Sequence, residues 1–341
     1  MSIQIPDKAY GTLSLTWTKT PPPREESLKI LKYLYEKHGV RHFNGGMIYQ
    51  VDPAFNNLKL LAEFFKSFDS SDCILSYKGG VDPATYRPSS SPEFLDSEFK
   101  AIGEAFEGTD KKPKIIFNIA RIDKSTPIED VAKYLDAKVA KDDYVVGWGL
   151  SEVGPETLKK AIANGKVSLL ELEFSMLTQD ILEMGTLKIA SENEIPIICY
   201  SPIGRGLLTE KGVSPGFLES LAPTDGRIIG GLERFKPENY EANHKYLKEL
   251  HDYAHEKKNC TLEQLALGYL SSMTGKENFK GIAKVTKLVP LPGSAKIANI
   301  DQLYDSVELT AQELLEVQEI IDSNTVQGAR YNARLAPLLH G

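Results

Sequence analysis

Short apolar or β-branched runs alternate with helix-like stretches along most of this 341-residue chain. Alternation of this kind is typical of parallel sheets, in which a helix returns the chain between successive strands. Eight such runs occur, and they cover Tyr10–Thr16, His42–Asn44, Cys73–Lys78, Lys114–Ala120, Tyr144–Leu150, Ser168–Ser175, Pro196–Ser201 and Lys287–Pro290. Eight units without an obvious interdomain linker predict an α/β fold, a (β/α)8 TIM barrel that occupies residues 1–341 as a single domain.

The chain is longer than the roughly 250 residues typical of such a barrel, and the excess has identifiable places to go. We expect a long loop at Gly204–Asn239, an extra helix around Thr261–Met273 and a C-terminal tail after Val326. The alternative, a doubly wound sheet, needs a glycine fingerprint between a strand and a helix, and the sequence contains no G-x-G-x-x-G or Walker A pattern. The sequence therefore favours a barrel with long loops and extra C-terminal helices.

Three threonines mark predicted helix starts. Thr126, Thr261 and Thr310 each stand three residues before a Glu or Gln. This spacing predicts a capping box, in which the two side chains bond to each other's backbone N–H groups. After Thr126, a proline at the first helical position strengthens the prediction.

The charge balance bears on the kind of partner. Forty Lys and Arg residues against forty-seven Asp and Glu give a net charge of −7. An acidic chain is a poor match for the phosphate backbone of nucleic acids, and no apolar run is long enough to span a bilayer. We therefore expect a small-molecule ligand, with neither nucleic acid nor membrane as a partner; the sequence leaves the oligomeric state open.

The cysteines indicate the compartment. Cys73, Cys199 and Cys260 are odd in number and widely separated, and they form neither a disulfide framework nor a CxxC pair. The first eight residues also lack the apolar core of a secretory signal. We expect a reducing, cytoplasmic setting. His244 and the pair His251 and His255 are expected to share an exposed helix face, and we predict no metal site there.

Polar residues follow most of the predicted strands. In a (β/α)8 barrel the active site lies at the carboxyl ends of the strands, so these residues are candidates before any motif is considered. They are Asn44 and Tyr49, Lys78, Ala120–Asp123, Ser151 and Glu152, Glu171 and Glu173, and Tyr200–Pro202.

A tyrosine beside a lysine at this end of a barrel suggests acid catalysis. A neighbouring ammonium favours the phenolate, so the phenol gives up its proton more easily. Tyr49 is then a candidate general acid toward a carbonyl oxygen, with Lys78 as its neighbour. From spacing alone, a packing role for Tyr49 and a solvated strand-end role for Lys78 are equally supported.

Two small-residue loops predict a phosphate-binding site. (β/α)8 enzymes often bind phosphate in the loops that follow the last two barrel strands. Here those loops contain Gly204-Arg205-Gly206 and Pro292-Gly293-Ser294-Ala295-Lys296. Backbone amides, the Ser294 hydroxyl and the charges of Arg205 and Lys296 favour a phosphorylated ligand.

Taken in order, these segments resemble the aldo-keto reductases. The resemblance covers almost the whole chain and is carried by Tyr10-Gly11-Thr12, Phe43–Tyr49, Lys78, Ala120–Asp123, Gly147–Ser151, Glu171–Phe174, Tyr200–Leu208 and Val289–Ser294. It implies that hydride passes from NADPH to an aldehyde or ketone, with a tyrosine as proton donor in a tetrad of Asp, Tyr, Lys and His. Tyr49 and Lys78 match two members of that tetrad.

Two tetrad positions depart from the family pattern. The aspartate is replaced by Asn44, which would orient Lys78 or the substrate, and the histidine by Ala120. With Lys78-Gly79-Gly80 and the tail Arg330-Tyr331-Asn332, these departures are similar to the fungal pyridoxal reductases, which interconvert pyridoxal and pyridoxine. The resemblance implies an NADPH-dependent pyridoxal reductase. Alternatives are a reductase of another small aldehyde or ketone, and an NADPH-binding regulatory subunit with weak turnover, as in the potassium-channel β subunits.

The resemblance also assigns cofactor contacts. Ser151 would bond the nicotinamide carboxamide, Tyr200 would stack on the nicotinamide ring, and Glu171 stands where the family has Gln. Ser294 and Lys296 would hold the 2′-phosphate of NADPH, because the family's arginine is replaced by Asn299. The complete set is Ser151, Glu171, Tyr200, Ser201, Pro202, Arg205, Leu207, Ser294 and Lys296.

Overall fold

The computed structural model describes residues 3–52, 56–305 and 307–341. Eight parallel strands form a nearly closed barrel in the order β1-β2-β3-β4-β5-β6-β7-β10. They are β1 Ala9–Gly11, β2 His42–Gly46, β3 Ile74–Gly79, β4 Lys114–Ile119, β5 Val145–Ser151, β6 Val167–Glu173, β7 Ile197–Tyr200 and β10 Leu288–Leu291. The backbone N–H of Gly11 donates to the carbonyl of Pro292 at 2.9 Å, which joins the first strand to the end of the last. The predicted (β/α)8 barrel is confirmed.

Helices lie between the strands and cover the outside of the barrel. They are α1 Leu13–Thr16, α2 Arg24–His38, α3 Asn57–Lys66, α4 Pro92–Phe106, α5 Ile128–Val139, α6 Pro155–Asn164, α7 Asp180–Glu183, α8 Thr186–Glu192, α9 Gly226–Ile229, α10 Pro237–Asp252, α11 Leu262–Met273, α12 Ile297–Tyr304 and α13 Ala311–Asp322. A π-helical segment, Tyr253–Lys258, continues α10, and short 3-10 turns occur at Gly204–Gly206, Glu233–Phe235 and Ala336–Leu338. Among the described residues, no helix is both long enough and apolar enough to cross a bilayer.

The first strand is shorter than predicted. The run Tyr10–Thr16 contains β1 only up to Gly11, and Leu13–Thr16 forms the short helix α1. The chain turns at Thr12, whose side-chain hydroxyl donates to the carbonyl of Asn44 at 2.7 Å. An apolar run of this length does not distinguish a strand from a strand followed by a helical turn.

A small hairpin lies apart from the barrel. Its strands are β8 Glu277–Phe279 and β9 Ile282–Lys284, which pair antiparallel. Lys280 and Gly281 connect them with φ values of 45° and 80°, the left-handed geometry of a tight two-residue hairpin turn. The sequence prediction did not include this hairpin, because its strands are only three residues long.

Two of the three predicted capping boxes are present. At Thr261 and Thr310, both reciprocal hydrogen bonds form, and the extra helix predicted after Thr261 is α11. The box predicted at Thr126 is wrong: α5 begins after Pro127, without a side-chain cap. The Thr126 hydroxyl instead donates to Asp123 at 3.3 Å.

The barrel interior changes from apolar to polar along the strands. Its apolar layer forms a cluster separate from the core between strands and helices, and consists of Ile5, Ala9, Ile74, Ile116, Leu169, Ile198, Val289 and Leu291. Side chains two residues apart on a strand share a face. Ile74 is therefore followed on the same face by Ser76 and Lys78, and Leu169 by Glu171 and Glu173. A polar layer thus lies at the carboxyl ends of the strands.

Candidate active site

Seven polar side chains from β2 to β6 form a hydrogen-bonded network, called here the interior polar cluster. Each of these residues is at most 5% exposed. Strand register explains how some of them meet: Asn44 pairs with Ser76, Lys78 with Asn118, and Ser151 with Glu171. The members are His42, Asn44, Ser76, Lys78, Asn118, Ser151 and Glu171.

Lys78 lies at the centre of this cluster. Its Nζ donates to Asn44 Oδ1 at 2.5 Å and to the two carboxylate oxygens of Glu171 at 2.8 and 3.1 Å. Asn44 Nδ2 in turn donates to Glu171 Oε2 and to Ser76 Oγ, both at 2.8 Å. Lys78, Asn44 and Glu171 therefore form a closed triangle of hydrogen bonds across the barrel.

Tyr49 is held beside Lys78 by the turn that follows β2. Its backbone N–H donates to the carbonyl of Gly46 at 3.0 Å, and the N–H of Met47 donates to the carbonyl of Lys78 at 2.8 Å. The buried side chain of Asn57 accepts from the N–H of Gly46 at 3.1 Å. A Cβ at Gly45 would come within 2.7 Å of Leu61 and Tyr77, so this close approach requires glycine.

The electrostatics of Tyr49 combine two opposing effects. The Nζ of Lys78 lies 5.0 Å from the centroid of the Tyr49 ring. Burial raises the pKa of Tyr49, and the positive charge of the nearby Lys78 ammonium opposes that rise without cancelling it. The contribution of Lys78 has the expected sign, but the net pKa lies above the ordinary value because desolvation is the larger effect.

The pKa of Lys78 also depends on burial and pairing. Burial alone disfavours the ammonium, but the charge of Glu171 and the interaction with Tyr49 outweigh it, so the pKa lies above the ordinary lysine value. Lys78 is therefore a buried cation at neutral pH. It pairs with the Glu171 carboxylate at 2.8 Å, and both side chains are at most 6% exposed.

The segment after β4 carries no imidazole. Ala120 is buried, and the next residue, Arg121, donates to the carbonyl of Ala120 at 2.6 Å. Burial lowers the pKa of Arg121. The neighbouring phenols, which include that of Tyr49, and the Glu152 carboxylate have the opposite and larger effect, so the pKa lies above its ordinary value. Asp123 accepts from the backbone N–H of Ser90 at 2.9 Å, which is a structural contact.

Sequence reasoning missed three members of the cluster. Ser76 bridges Asn44 and the imidazole of His42, whose Nε2 lies 2.8 Å from Ser76 Oγ. Asn118 Nδ2 donates to Ser151 Oγ at 3.0 Å and to Glu171 Oε2 at 3.2 Å. His42 and Ser76 lie two residues before Asn44 and Lys78 on the same strands, and Asn118 lies two residues after the apolar Ile116. Because side chains two residues apart share a strand face, this spacing could have indicated all three.

A second group of charged and phenolic side chains, called here the tail cluster, ties the C-terminal tail to the barrel. Arg330 donates to Glu152 and Glu173 at 3.1 Å and lies 2.9 Å from Asp180. The set comprises Glu152, Glu173, Asp180, Tyr200, Arg205, Arg330, Tyr331 and His340. The sequence predicted a tail but not this attachment, because Arg330 lies 178 positions from Glu152.

The tail cluster includes two of the predicted cofactor residues. The Tyr200 hydroxyl donates to Glu152 at 2.8 Å and lies 3.1 Å from that of Tyr331. The Arg205 guanidinium donates to Glu173 at 2.9 Å and lies 4.6 Å from the centroid of the Tyr331 ring. Arg205, which the sequence predicts to favour a phosphorylated ligand, therefore already has internal partners.

The other predicted cofactor residues occupy three places. Ser151 and Glu171 belong to the interior polar cluster, whereas Ser294 and Lys296 precede α12. Ser201, Pro202 and Leu207 belong to the turns after β7, with Pro202 and Leu207 buried. Ser201 has a φ of 51° and Arg205 a φ of 56°. Such left-handed backbone is costly for residues other than glycine and clusters at functional sites.

Two local features fit a nicotinamide dinucleotide phosphate. Lys296 is the exposed N-cap of α12 and makes no side-chain cap, so the helix amides remain available to an anion. Asn118 Oδ1 is buried and, among the described residues, has no hydrogen-bond partner. The Nδ2 of the same amide donates to the Ser151 hydroxyl at 3.0 Å, and an acceptor and a hydroxyl on neighbouring side chains complement a carboxamide.

The histidines of α10 and its π-helical extension divide into two groups. His251 and His255 both face Glu210, with Nε2 to carboxylate distances of 3.2 and 3.1 Å. His244 Nε2 instead lies 3.1 Å from the carbonyl of Val213. Glu210 also accepts from the backbone N–H of Leu262 at 2.8 Å at the start of α11. The ligand atoms of Glu210, His251 and His255 lie within 4.8 Å of one another, so the predicted absence of a metal site stays a prediction.

Comparison with known proteins identifies the family of this chain. The model of the aldo/keto reductase family matches residues 9–322. A Schizosaccharomyces pombe protein named "Probable pyridoxal reductase 2" is 28% identical over 96% of this chain and 95% of its own length. A Saccharomyces cerevisiae relative that also carries a pyridoxal reductase name is 30% identical, with 95% of each chain covered. The structure of a glycerol dehydrogenase from Gluconobacter oxydans has the same fold, with a TM-score of 0.76 at 16% identity over 95% of this chain and 93% of that one. The chain therefore belongs to the aldo/keto reductase family.

Proposed function

We propose that this protein is an NADPH-dependent reductase that converts pyridoxal, a vitamin B6 aldehyde, into pyridoxine. The observation that carries the proposal is the buried Tyr49–Lys78 pair at the carboxyl end of the barrel. The family membership supplies the reaction class, carbonyl reduction. The two relatives with pyridoxal reductase names, at 28% and 30% identity, support pyridoxal as the proposed substrate.

In the proposed reaction, Tyr49 donates the proton. Bound NADPH would supply hydride to the carbonyl carbon of the substrate. The Tyr49 hydroxyl gives its proton to the carbonyl oxygen, and the ammonium of Lys78 stabilises the phenolate that remains. Asn44 orients Lys78 through its 2.5 Å hydrogen bond. Because these groups are buried, the phenolate and ammonium interact strongly.

The surroundings of Tyr49 suit a planar heteroaromatic aldehyde. Trp17 stacks on Tyr49, and Tyr86 is stacked with Trp17 at a centroid distance of 6.5 Å. Ala120 has no hydrogen-bond donor in its side chain, so the substrate oxygen would need another polar partner. Pyridoxal carries a phenolic hydroxyl next to its aldehyde, and Arg121 offers a positive charge to that oxygen.

The cofactor and cellular setting are part of the same proposal. Ser151 and Tyr200 would contact the nicotinamide, and Ser294 and Lys296 the 2′-phosphate. Cys73, Cys199 and Cys260 are free and buried, which is compatible with the proposed cytoplasmic location. We propose that the small-molecule carbonyl is the main partner.

The test is turnover by the purified protein. We expect oxidation of NADPH in the presence of pyridoxal, slower oxidation with benzaldehyde, and a higher KM for NADH than for NADPH. Equal turnover of pyridoxal and benzaldehyde would favour a general carbonyl reductase. NADPH binding without turnover of any carbonyl would favour the regulatory subunit.

A variant pair tests the proton donor. Tyr49→Phe should abolish pyridoxal reduction while the protein remains folded and binds NADPH. Tyr144→Phe is a matched control, because the Tyr144 ring lies under Lys112, with its centroid 4.1 Å from Nζ, outside the interior polar cluster. Unchanged activity in Tyr49→Phe would refute the assignment of Tyr49.

A further inference from the structure

We propose that Glu171 supplies the negative charge that holds Lys78 in its catalytic position, so that Glu171 is a positioning residue of the proton-transfer site. The inference rests on the proposed function. Glu171 lies on β6 and Lys78 on β3, and their side chains meet inside the barrel at 2.8 Å. Among the described residues, Glu171 is the only carboxylate that forms an ion pair with Lys78.

The hydrogen bonds around Glu171 identify it as an ionised carboxylate. Lys78 can only donate, so the amide oxygen of Asn44 must face Lys78 and its NH2 must face Glu171. Asn118 also donates its amide NH2 to Glu171, at 3.2 Å. All three neighbours therefore donate to the carboxylate oxygens. A protonated carboxyl group would need an acceptor, and none of these three side chains turns one toward Glu171.

The ionised carboxylate accounts for the charge balance of the site. A buried ammonium without a counter-charge is costly and tends to lose its proton. Asn44 bonds to Lys78 but is neutral, so it cannot provide that counter-charge. Glu171 bonds to the same Nζ and also accepts from Asn44 at 2.8 Å. The charge of Glu171 and the dipole of Asn44 together fix where the ammonium stands relative to Tyr49.

This arrangement links two departures from the family pattern. The sequence has an amide at position 44, where an acid is expected, and an acid at position 171, where an amide is expected. The two side chains touch each other and the same lysine. The acid and the amide have therefore exchanged places around Lys78. The net charge of these three side chains is the same as in the family pattern.

The rival role for Glu171 is a contact with the nicotinamide carboxamide. In that role, glutamine would serve at least as well, since its amide can both donate and accept. Glu171→Gln then distinguishes the two. It should weaken NADPH binding little under either view, but it should lower kcat only if the charge matters to Lys78.

The experiment uses four variants of the full chain: Glu171→Gln, Asn44→Asp, the double variant, and Glu98→Gln. Glu98 is a buried carboxyl that accepts from the backbone N–H of Gly80 at 2.7 Å and makes no ion pair with Lys78. It therefore controls for loss of a buried acid near β3. The measurements are kcat and KM for pyridoxal from pH 5 to 10, NADPH affinity by fluorescence, and unfolding free energy across the same pH range.

We expect Glu171→Gln to lower kcat by at least about tenfold at pH 7, with KM and NADPH affinity nearly unchanged. Its activity should fall further as pH rises, because the unpaired Lys78 loses its proton more readily. Asn44→Asp alone should also lower kcat, because it places two carboxylates in contact. In the double variant, the carboxylate introduced at position 44 restores the pairing from the other side, and most of the lost kcat should return.

The decisive result is that Asn44→Asp lowers kcat in the wild-type protein but raises it in the Glu171→Gln variant. A purely structural role of Glu171 would make the two losses add in the double variant, and this would overturn the proposal. Wild-type kcat in Glu171→Gln would overturn it as well. If the wild-type protein reduces no carbonyl, the proposed function fails. The ion pair is then judged from unfolding: the destabilisation by Glu171→Gln should shrink at high pH and be relieved by Asn44→Asp.

Discussion

The indole of Trp17 stacks on the ring of Tyr49, with centroids 5.2 Å apart and planes inclined by 21°. Trp17 is the C-cap of α1 and lies directly after the run Tyr10–Thr16 that the sequence predicted as a strand. A substrate ring that approaches the Tyr49 hydroxyl would pass beside this indole. Aromatic contacts of this kind contribute about 0.5–1.5 kcal/mol beyond their buried area.

We therefore predict that Trp17→Ala raises KM for pyridoxal by about five- to tenfold. The KM for a small aliphatic aldehyde should change much less, because that substrate cannot stack. Trp17→Phe keeps a ring and should retain most of the affinity. Steady-state kinetics with both substrates measures the difference. An equal loss for both aldehydes would mean that Trp17 only supports Tyr49.

The raised pKa of Tyr49 predicts the pH dependence of the reaction. Carbonyl reduction requires the protonated phenol, and burial keeps the pKa above the usual value of about 10. Reduction should therefore show a plateau through neutral and mildly alkaline pH and decline only at higher pH. Oxidation of pyridoxine requires the phenolate, so its rate should increase with pH over the same range.

The same pH dependence is checked by removing the ammonium beside the phenol. Lys78→Met is expected to lower kcat by at least about a hundredfold and to shift the oxidation profile to still higher pH. Lys112→Met is the matched control, since Lys112 also lies over a tyrosine ring but outside the site. A normal pH profile in Lys78→Met would contradict the role assigned to Lys78.

Much of the fold followed from sequence because each barrel strand is a local, buried apolar run. Cys73–Lys78 and Lys114–Ala120 were placed to within one residue at each end. Local sequence failed where tertiary contacts decided the outcome. Thr12 turns the chain because its hydroxyl meets the carbonyl of Asn44, and Thr126 bonds to Asp123 rather than capping α5.

The site was predictable only as a set of strand ends. The topology of the barrel brings Asn44, Lys78 and Glu171 to one end, and the sequence indicated each of them as a candidate. It could not show that Glu171 contacts Lys78, because that depends on which way each side chain points across the barrel. The attachment of Arg330 to Glu152 depends on contacts made far along the chain, and no local pattern encodes it.

The loop before α12 predicts the choice of cofactor. Lys296 is exposed at the start of the helix, and the Ser294 hydroxyl accepts from its backbone N–H at 3.2 Å. Lys296→Ala should raise KM for NADPH by about five- to tenfold, since one charge-assisted hydrogen bond is lost. KM for NADH, which lacks the 2′-phosphate, should stay unchanged. Lys284→Ala, on the exposed side of β9, should affect neither, and a parallel loss for both cofactors would argue against this assignment.

The tail cluster predicts a large stability effect from one residue. Arg330 is only 6% exposed and pairs with the buried acids Glu152 and Glu173. Arg330→Met leaves Glu152 without its closest counter-charge, and breaking such a buried pair costs about 3 kcal/mol or more. Urea unfolding should show this loss, whereas Arg334→Met, at an exposed position four residues further on, should be near neutral. Equal stability of the two variants would show that the tail is not anchored through Arg330.

The imidazole of His42 predicts how stability depends on pH. Burial, with smaller contributions from the charges of Lys78 and Lys287, lowers the pKa of His42 from 6.5 to about 3. Between these values the unfolded chain takes up a proton that the folded protein excludes, so stability should fall by a few kcal/mol as pH drops from about 6.5 toward 3. His42→Gln keeps a polar group near Ser76 but cannot titrate there, and its unfolding free energy should decline less over this range. His244→Gln should retain the wild-type slope, and an unchanged slope in His42→Gln would show that other groups cause the acid sensitivity.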